Sequence, residues 1–147
     1  TVLEARGMDM KRSIHDHEHL AKAKKVAAYP NILLSVDFRW GREMALDIGP
    51  RSEELFARAI RRARTIIWNG PFGQFENPRF AKGTLAVVKA IAANRKAFSI
   101  AGGGETVMFL KKYKPDKKFS FISTGGGAMF AFLSGKKLPG IEALKWK

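Results

Sequence analysis

The chain has 147 residues, is 46% hydrophobic and contains no cysteine, which allows one substantial core and excludes disulfides and thiolate metal sites. Its 27 Lys and Arg against 13 Asp and Glu give a net charge of +14, enough to attract polyanions at low salt. No apolar run approaches the ~18 residues of a membrane span. The opening TVLEARGMDMKR also lacks the apolar stretch and small-residue cleavage site of a signal peptide, so a soluble protein of a reducing compartment, the cytoplasm by default, is expected.

Residues 16 to 28, DHEHLAKAKKVAA, favour a helix, with Asp16 and Glu18 at its positive end and Lys24 and Lys25 at its negative end. His15, His17 and His19 alternate just here, but only His15 and His19 share a helical face and no third ligand accompanies them, so they read as surface residues rather than a metal site. After a proline break, PNILLSVDF has the composition of a strand. The chain turns at Asp47-Ile48-Gly49-Pro50, and Ser52 is placed to cap a helix whose Leu55, Phe56, Ala59, Ile60 and Ala63 recur at helical spacing. TIIW is a short apolar strand, followed by the loop NGPFGQFENPRF and a helix over about residues 80 to 93 with Leu85, Val88, Ile91 and Ala92 buried. The strand AFSI then leads through GGG into the helix ETVMFLKKY. FSFI leads through STGGG into AMFAFLSG, and KKLPG closes the fold.

Strands that alternate with helices predict an α/β protein with a mostly parallel sheet and helices on both faces. In such a sheet the strand-to-helix loops share one edge, so NGPFG, AGGG and STGGG are expected to converge on one crevice. Gly102, Gly103 and Gly104, and again Gly125, Gly126 and Gly127, stand where a strand hands over to a helix. Glycine there admits backbone amides to an oxyanion, and the helix aims its positive end at the same point. One triplet is equally well a tight turn; two on one edge favour a phosphate cradle. Neither is a Walker A loop or a GxGxxG fingerprint.

Glu105 and Thr106 follow the first triplet directly. The carboxylate can hold Mg²⁺ on phosphate oxygens or simply satisfy the helix dipole, and the hydroxyl can donate to a phosphate. Glu76, beside Pro71, Phe72, Phe75 and Pro78, suits sugar hydroxyls near a stacked base, though a lone loop acid can equally be solvated. Asn69 can donate its amide to phosphate or cap a turn. The basic residues come as scattered pairs, with one denser cluster at Arg58, Arg61, Arg62 and Arg64, and no nucleic-acid motif accompanies them. A solvated surface, or one facing phosphorylated metabolites, is expected in preference to a nucleic-acid interface.

The segments TVLEARG, ILLSVD, DIGP, TIIWNGPFGQFE, FAKGT, SIAGGGET, FSFISTGGGA and LPGIEAL resemble phosphoglycerate kinase, in that family's order, over the final part of its nucleotide-binding C-terminal domain. The resemblance implies a truncated Rossmann-like domain over residues 1–147, covering about the last third of a family member. It also implies ATP/ADP with Mg²⁺ as ligands, and phosphoryl transfer between 1,3-bisphosphoglycerate and ADP in glycolysis. By motif, Gly102, Gly103, Gly104, Glu105 and Thr106 correspond to the nucleotide-phosphate and metal segment, with Glu105 contacting Mg²⁺ through the nucleotide. Glu76 corresponds to the ribose-binding acid, Asn69 and Pro71 to the loop along phosphate and base, and Gly125, Gly126 and Gly127 to the helix start facing the phosphoryl group in flight.

Three departures stand out. Glu105 occupies a position where the family commonly has Asp, Lys11 one where it tends to have Gly, and FRWGREMAL replaces a longer, partly acidic connection. The N-terminal domain that binds 1,3-bisphosphoglycerate or 3-phosphoglycerate is not represented in these residues. They are therefore expected to bind Mg-ADP weakly or not at all and to be inactive alone, whereas a full-length member is expected to be monomeric. The alternative expectation is a repurposed, noncatalytic basic domain that docks on RNA or a macromolecular assembly.

Overall fold

The computed structural model describes residues 2–13, 18–114 and 119–144. Two short helices come first, α1 (Val2–Ala5) and α2 (Leu20–Ala27), tied together by the Arg6 guanidinium on the carbonyl of Ala27. The helix expected from residue 16 begins at Leu20; His15, Asp16 and His17 lie outside the described residues.

The stretch PNILLSVDF corrects its expectation, because only its last residue, Phe38, belongs to a strand. Its end is engaged by a helix instead. The amides of Val36 and Asp37 donate to the Ser52 hydroxyl at 2.9 and 3.1 Å, and Gly49 N donates to Asp37 O at 2.8 Å. Helix α3 (Pro50–Arg62) therefore starts against this segment, with Pro50 at a position where its missing N–H costs nothing. Ser52 is not its N-cap: it is buried in the first turn, the N-cap is Gly49, and the Asp37 carboxylate reaches in from outside the helix to accept from Arg51 N at 2.9 Å and Ser52 N at 2.8 Å.

Between these elements FRWGREMALDI folds into an antiparallel hairpin, β1 (Phe38–Gly41) and β2 (Met44–Ile48). Its turn is Arg42-Glu43, both at positive φ of 47° and 65°. That left-handed pair is usually built from Asn and Gly, so the hairpin carries no sequence signal.

The centre of the fold is a parallel sheet in the order β3-β4-β5, formed by Thr65–Asn69, Phe98–Gly102 and Phe121–Ser123. Helix α4 (Lys82–Ala93), entered through a 3₁₀ turn at Pro78–Phe80, crosses from β3 to β4, and α5 (Gly104–Tyr113) crosses from β4 to β5. Helices α6 (Gly126–Leu133) and α7 (Pro139–Leu144) follow.

Strand alternation sorts the side chains. Ile66, Trp68 and Ala101 face the core with Val87, Val88, Ile91 and Phe109. The opposite face carries Ile67, Phe98, Ile100 and Phe121. Met129 of α6 covers it at Gly102, while Ile67, Phe98 and Phe121 stay exposed at 45%, 55% and 57%. The expected α/β architecture is thus present, with its apolar weight on one side of the sheet.

Candidate functional site

Parallel register brings the ends of the three strands level: Asn69 pairs with Gly102, and Gly102 with Ser123. The loops that leave them meet. Gly103 sits at φ 101°, ψ 149°, a region that essentially only glycine enters, and starts α5. A β-carbon on residue 103 would stand 2.9 Å from Asn69 Nδ2, and one on Gly126 would stand 2.7 Å from Gly103 Cα. Asn69, Gly103 and Gly126 therefore touch, and absent side chains are what let the starts of α5 and α6 approach.

Both helix starts are open toward this point. The first intrahelical bond of α5 runs from Val107 N to Gly103 O, and that of α6 from Met129 N to Gly125 O. The amides of Gly104, Glu105 and Thr106, and those of Gly126, Gly127 and Ala128, precede those bonds, and neither helix has a side-chain cap. Such amides, with two helix dipoles behind them, can hold anionic oxygens.

The Thr106 side chain is fully buried, and its hydroxyl accepts from Gly70 N at 2.7 Å, joining two loops. Glu105 is exposed on the first turn of α5. No cluster of three acidic, His or Cys side chains exists among the described residues, so a cation at Glu105 would draw its other ligands from a bound anion and water.

The loop from Asn69 to Asn77 is anchored along its whole length. Trp68 Nε1 donates to Gly70 O at 2.8 Å, Phe72 N to Thr84 Oγ1 at 2.9 Å, and Gln74 N to Leu46 O at 2.9 Å. Farther on, Tyr113 Oη donates to Phe75 O and Lys112 Nζ to Glu76 O, both at 2.6 Å. Glu76 itself is exposed, and Pro71 is half-buried. Phe75 is buried in the core and cannot stack on a ligand.

Beneath the loop Asp47 is buried at 2% exposure. Burial pushes its carboxyl above the ordinary value of 3.8, against hydrogen bonds from Gly83 N and Ile48 N and the charge of Arg39. Arg39 Nη1 lies 3.6 Å from Asp47 and 2.6 Å from Glu53, and also contacts Ile48 O. Asp47 thus fixes the start of α4 to the hairpin. A β-carbon on Gly73 would reach Asp47 Oδ1 at 2.6 Å, so the loop is packed directly on this carboxylate. A cavity of about 480 Å³ lies alongside, bounded by Leu46, Asp47, Pro71, Phe72, Gly73 and Gln74 among others.

Sequence reading missed Asp37, Asp47, Thr84, Lys112 and Tyr113 as parts of this frame. Asp37, Asp47 and Thr84 lie in the segments ILLSVD, DIGP and FAKGT but carried no role there, and Lys112 and Tyr113 carried no signal at all.

The sequence profile of the phosphoglycerate kinase family matches residues 1–136. The chain belongs to that family. The phosphoglycerate kinase of Koribacter versatilis is 41% identical over 169 positions, covering 98% of this chain and 42% of the relative. That of Acidobacterium capsulatum is 59% identical over 104 residues, 71% of this chain and 26% of the relative. The crystal structure of phosphoglycerate kinase from Pyrococcus horikoshii OT3 superposes with a TM-score of 0.83 at 33% identity, covering 97% of this chain and 42% of that one. The Coxiella burnetii enzyme gives 0.81 at 34%, with coverage of 96% and 42%. This chain therefore spans about two fifths of the length of the phosphoglycerate kinases it matches throughout. The K. versatilis match runs over more positions than the 147 residues here, so this chain lacks residues that the relative has within the matched region.

Proposed function

We propose that residues 1–147 form the nucleotide-binding part of a phosphoglycerate kinase site, a partial C-terminal domain that binds Mg-ADP or Mg-ATP for phosphoryl transfer with 1,3-bisphosphoglycerate in glycolysis. The observation that carries this reading is the meeting of Asn69, Gly103 and Gly126, which brings two uncapped helix starts to one point. Phosphoryl transfer asks little covalent chemistry of a protein. It asks for positioning and charge neutralisation, and backbone amides at helix starts supply both.

In this assignment the amides of Gly104, Glu105 and Thr106 hold the nucleotide phosphates, with Gly102 and Gly103 giving them room. Asn69 donates to a phosphate oxygen, and Pro71 lines the path toward the base. Glu76 accepts from the ribose hydroxyls. Gly125, Gly126 and Gly127 open the second helix start toward the phosphoryl group in flight. Glu105 fits Mg²⁺, since an exposed carboxylate beside a phosphate site is the usual protein share of a magnesium shell. Bound there, the ion would neutralise phosphate charge. The phosphoglycerate half of the reaction, and the domain closure that in-line transfer needs, belong to the part of the family fold that this chain does not span.

The corresponding cellular expectation is a cytoplasmic, monomeric enzyme. No helix among the described residues is long and apolar enough to cross a membrane.

Trp68 gives the test, because its indole is bonded to Gly70 of the loop. In a protein with Trp40→Phe and Trp146→Phe, Mg-ADP is expected to change Trp68 emission weakly but saturably, and Glu76→Ala or Gly103→Val to abolish the change. Salt-sensitive RNA binding indifferent to both substitutions, in place of that change, would overturn the reading. ATP formation from 1,3-bisphosphoglycerate is expected to be absent for residues 1–147 alone.

A further inference from the structure

A carboxylate on an exposed loop binds sugar hydroxyls with selectivity only if the loop is held still; Thr84 and Leu46 hold the middle of the Glu76 loop, and helix α5 holds its two ends. Helix α5 bonds to it at both ends. Near the start of α5 the Thr106 hydroxyl takes the amide of Gly70, where the loop leaves the sheet. In its last turn Tyr113 Oη reaches Phe75 O at 2.6 Å, and Lys112 Nζ reaches Glu76 O at 2.6 Å and Phe75 O at 3.5 Å.

Between these ties Phe109 is fully buried, with ring centroids 5.6 Å from Phe75, 4.9 Å from Tyr113 and 5.9 Å from Trp68. The same helix thus presents its first amides to the phosphate crevice and its last turn to the ribose acid. At 1.5 Å per residue, the rise from Thr106 to Tyr113 is about 10 Å, a rigid spacing between the two ends of the site.

Among the described residues Lys112 meets only this loop and the Tyr113 ring. Its ammonium lies 5.5 Å from the Tyr113 ring centroid, which restrains a side chain that would otherwise range through solvent, and no carboxylate pairs with it among the described residues. A bond from a charged donor to a carbonyl is stronger than one between neutral groups. Phe75 O belongs to a buried residue and needs its phenol donor.

We propose that Lys112 and Tyr113 are positioning residues for Glu76, so that α5 sets the ribose selectivity of the nucleotide site. This rests on the assignment of Glu76 proposed above.

Two measurements on the full chain separate the two ideas. The first is hydrogen exchange at the amides of Gln74, Phe75, Glu76 and Asn77. Lys112→Met and Tyr113→Phe are expected to accelerate it about tenfold, from loss of one bond each, with exchange in α4 unchanged and Lys112→Arg close to the parent. Unchanged loop exchange would overturn the clamp whatever the ligand does. The second compares Mg-ADP with its 2′,3′-dideoxy analogue by Trp68 emission. The parent is expected to prefer ADP, and Lys112→Met and Tyr113→Phe to bring the two affinities within about twofold, as loss of a selective hydrogen bond requires. Equal weakening of both nucleotides would overturn the positioning role. A parent that binds neither, or both alike, would overturn the ribose assignment and this proposal with it.

Discussion

Gly126→Ala adds one methyl group at the point where the two helix starts meet. Its carbon would lie 2.7 Å from Gly103 Cα, 3.0 Å from Gly103 N and 3.4 Å from Asn69 Nδ2. The first two are backbone atoms of a residue at φ 101° and cannot swing aside as the end of a side chain would. An ordinary carbon contact is about 3.5–4.0 Å, so α6 must retreat from α5 by on the order of 1 Å. Overpacking of this kind costs about 1–3 kcal/mol, less the few tenths that alanine returns over glycine near a helix start.

Gly127 provides the control, since a β-carbon there has nothing within 4 Å and its φ is not positive. Gly127→Ala should be neutral or stabilising by up to about 1 kcal/mol. At roughly 3 °C per kcal/mol for a chain of this size, the two variants should differ by about 2–11 °C in thermal midpoint. Urea denaturation gives the same comparison at fixed temperature. Equal stability of Gly126→Ala and Gly127→Ala would mean that α5 and α6 are not in contact. Wherever Mg-ADP binding is measurable, Gly126→Ala should also weaken it more than Gly127→Ala.

The two acids of the frame should give stability profiles of opposite slope. Around Asp37 burial raises the carboxyl, but the Ser52 hydroxyl, the amides of Arg51 and Ser52, and the Arg51 charge outweigh it and leave the group below 3.8. Its contribution is therefore present above 3.8 and lost as pH falls through the depressed folded value, so Asp37→Ala, costing about 1–2 kcal/mol near neutrality, should approach the parent in acid. A constant difference down to about pH 3 in urea titrations would contradict this. Asp47 is raised by burial, so the parent loses stability as pH climbs from 3.8 through that raised value; Asp47→Asn should lack this slope, and a parallel pair of profiles would exclude it. Thr84→Val and Thr106→Val keep shape but strand the amides of Phe72 and Gly70, and each should lose about 1–3 kcal/mol in equilibrium unfolding, where no loss would mean that those bonds are not formed. Ile67, 45% exposed on the edge strand β3, should promote self-association that grows as salt screens the +14 charge; Ile67→Lys should suppress it in sedimentation velocity, and an unchanged profile would clear this edge.

What could be read from the chain was whatever repeats locally. TIIW and AFSI are apolar runs that stop at polar or glycine residues, and the triplets after AFSI and FSFI mark the same strand-to-helix step, so the parallel sheet and its loop edge followed from neighbours in sequence. The frame that holds the loops did not, because each of its bonds joins residues far apart. The Asp37 carboxylate takes the first amides of α3 from across the whole hairpin, and a spacing rule points to Ser52, the nearest hydroxyl, in its place. Arg42-Glu43 makes a left-handed turn without the residues that advertise one. Thr106 looks like a ligand group from its position after GGG, yet its neighbour in space is Gly70.

These differences have one physical root. A helix start has unpaired amides wherever it lies, and whether they meet a side chain, another loop or a ligand is settled by tertiary contact. In α3 and α4 the carboxylates of Asp37 and Asp47 occupy the helix starts. Helices α5 and α6 start on glycines, as α3 does on Gly49, but no side chain accepts from their first amides. The chain thus closes two helix starts with its own acids and leaves open the two that meet at Asn69, which is the distribution expected if those amides are kept for an anion from outside.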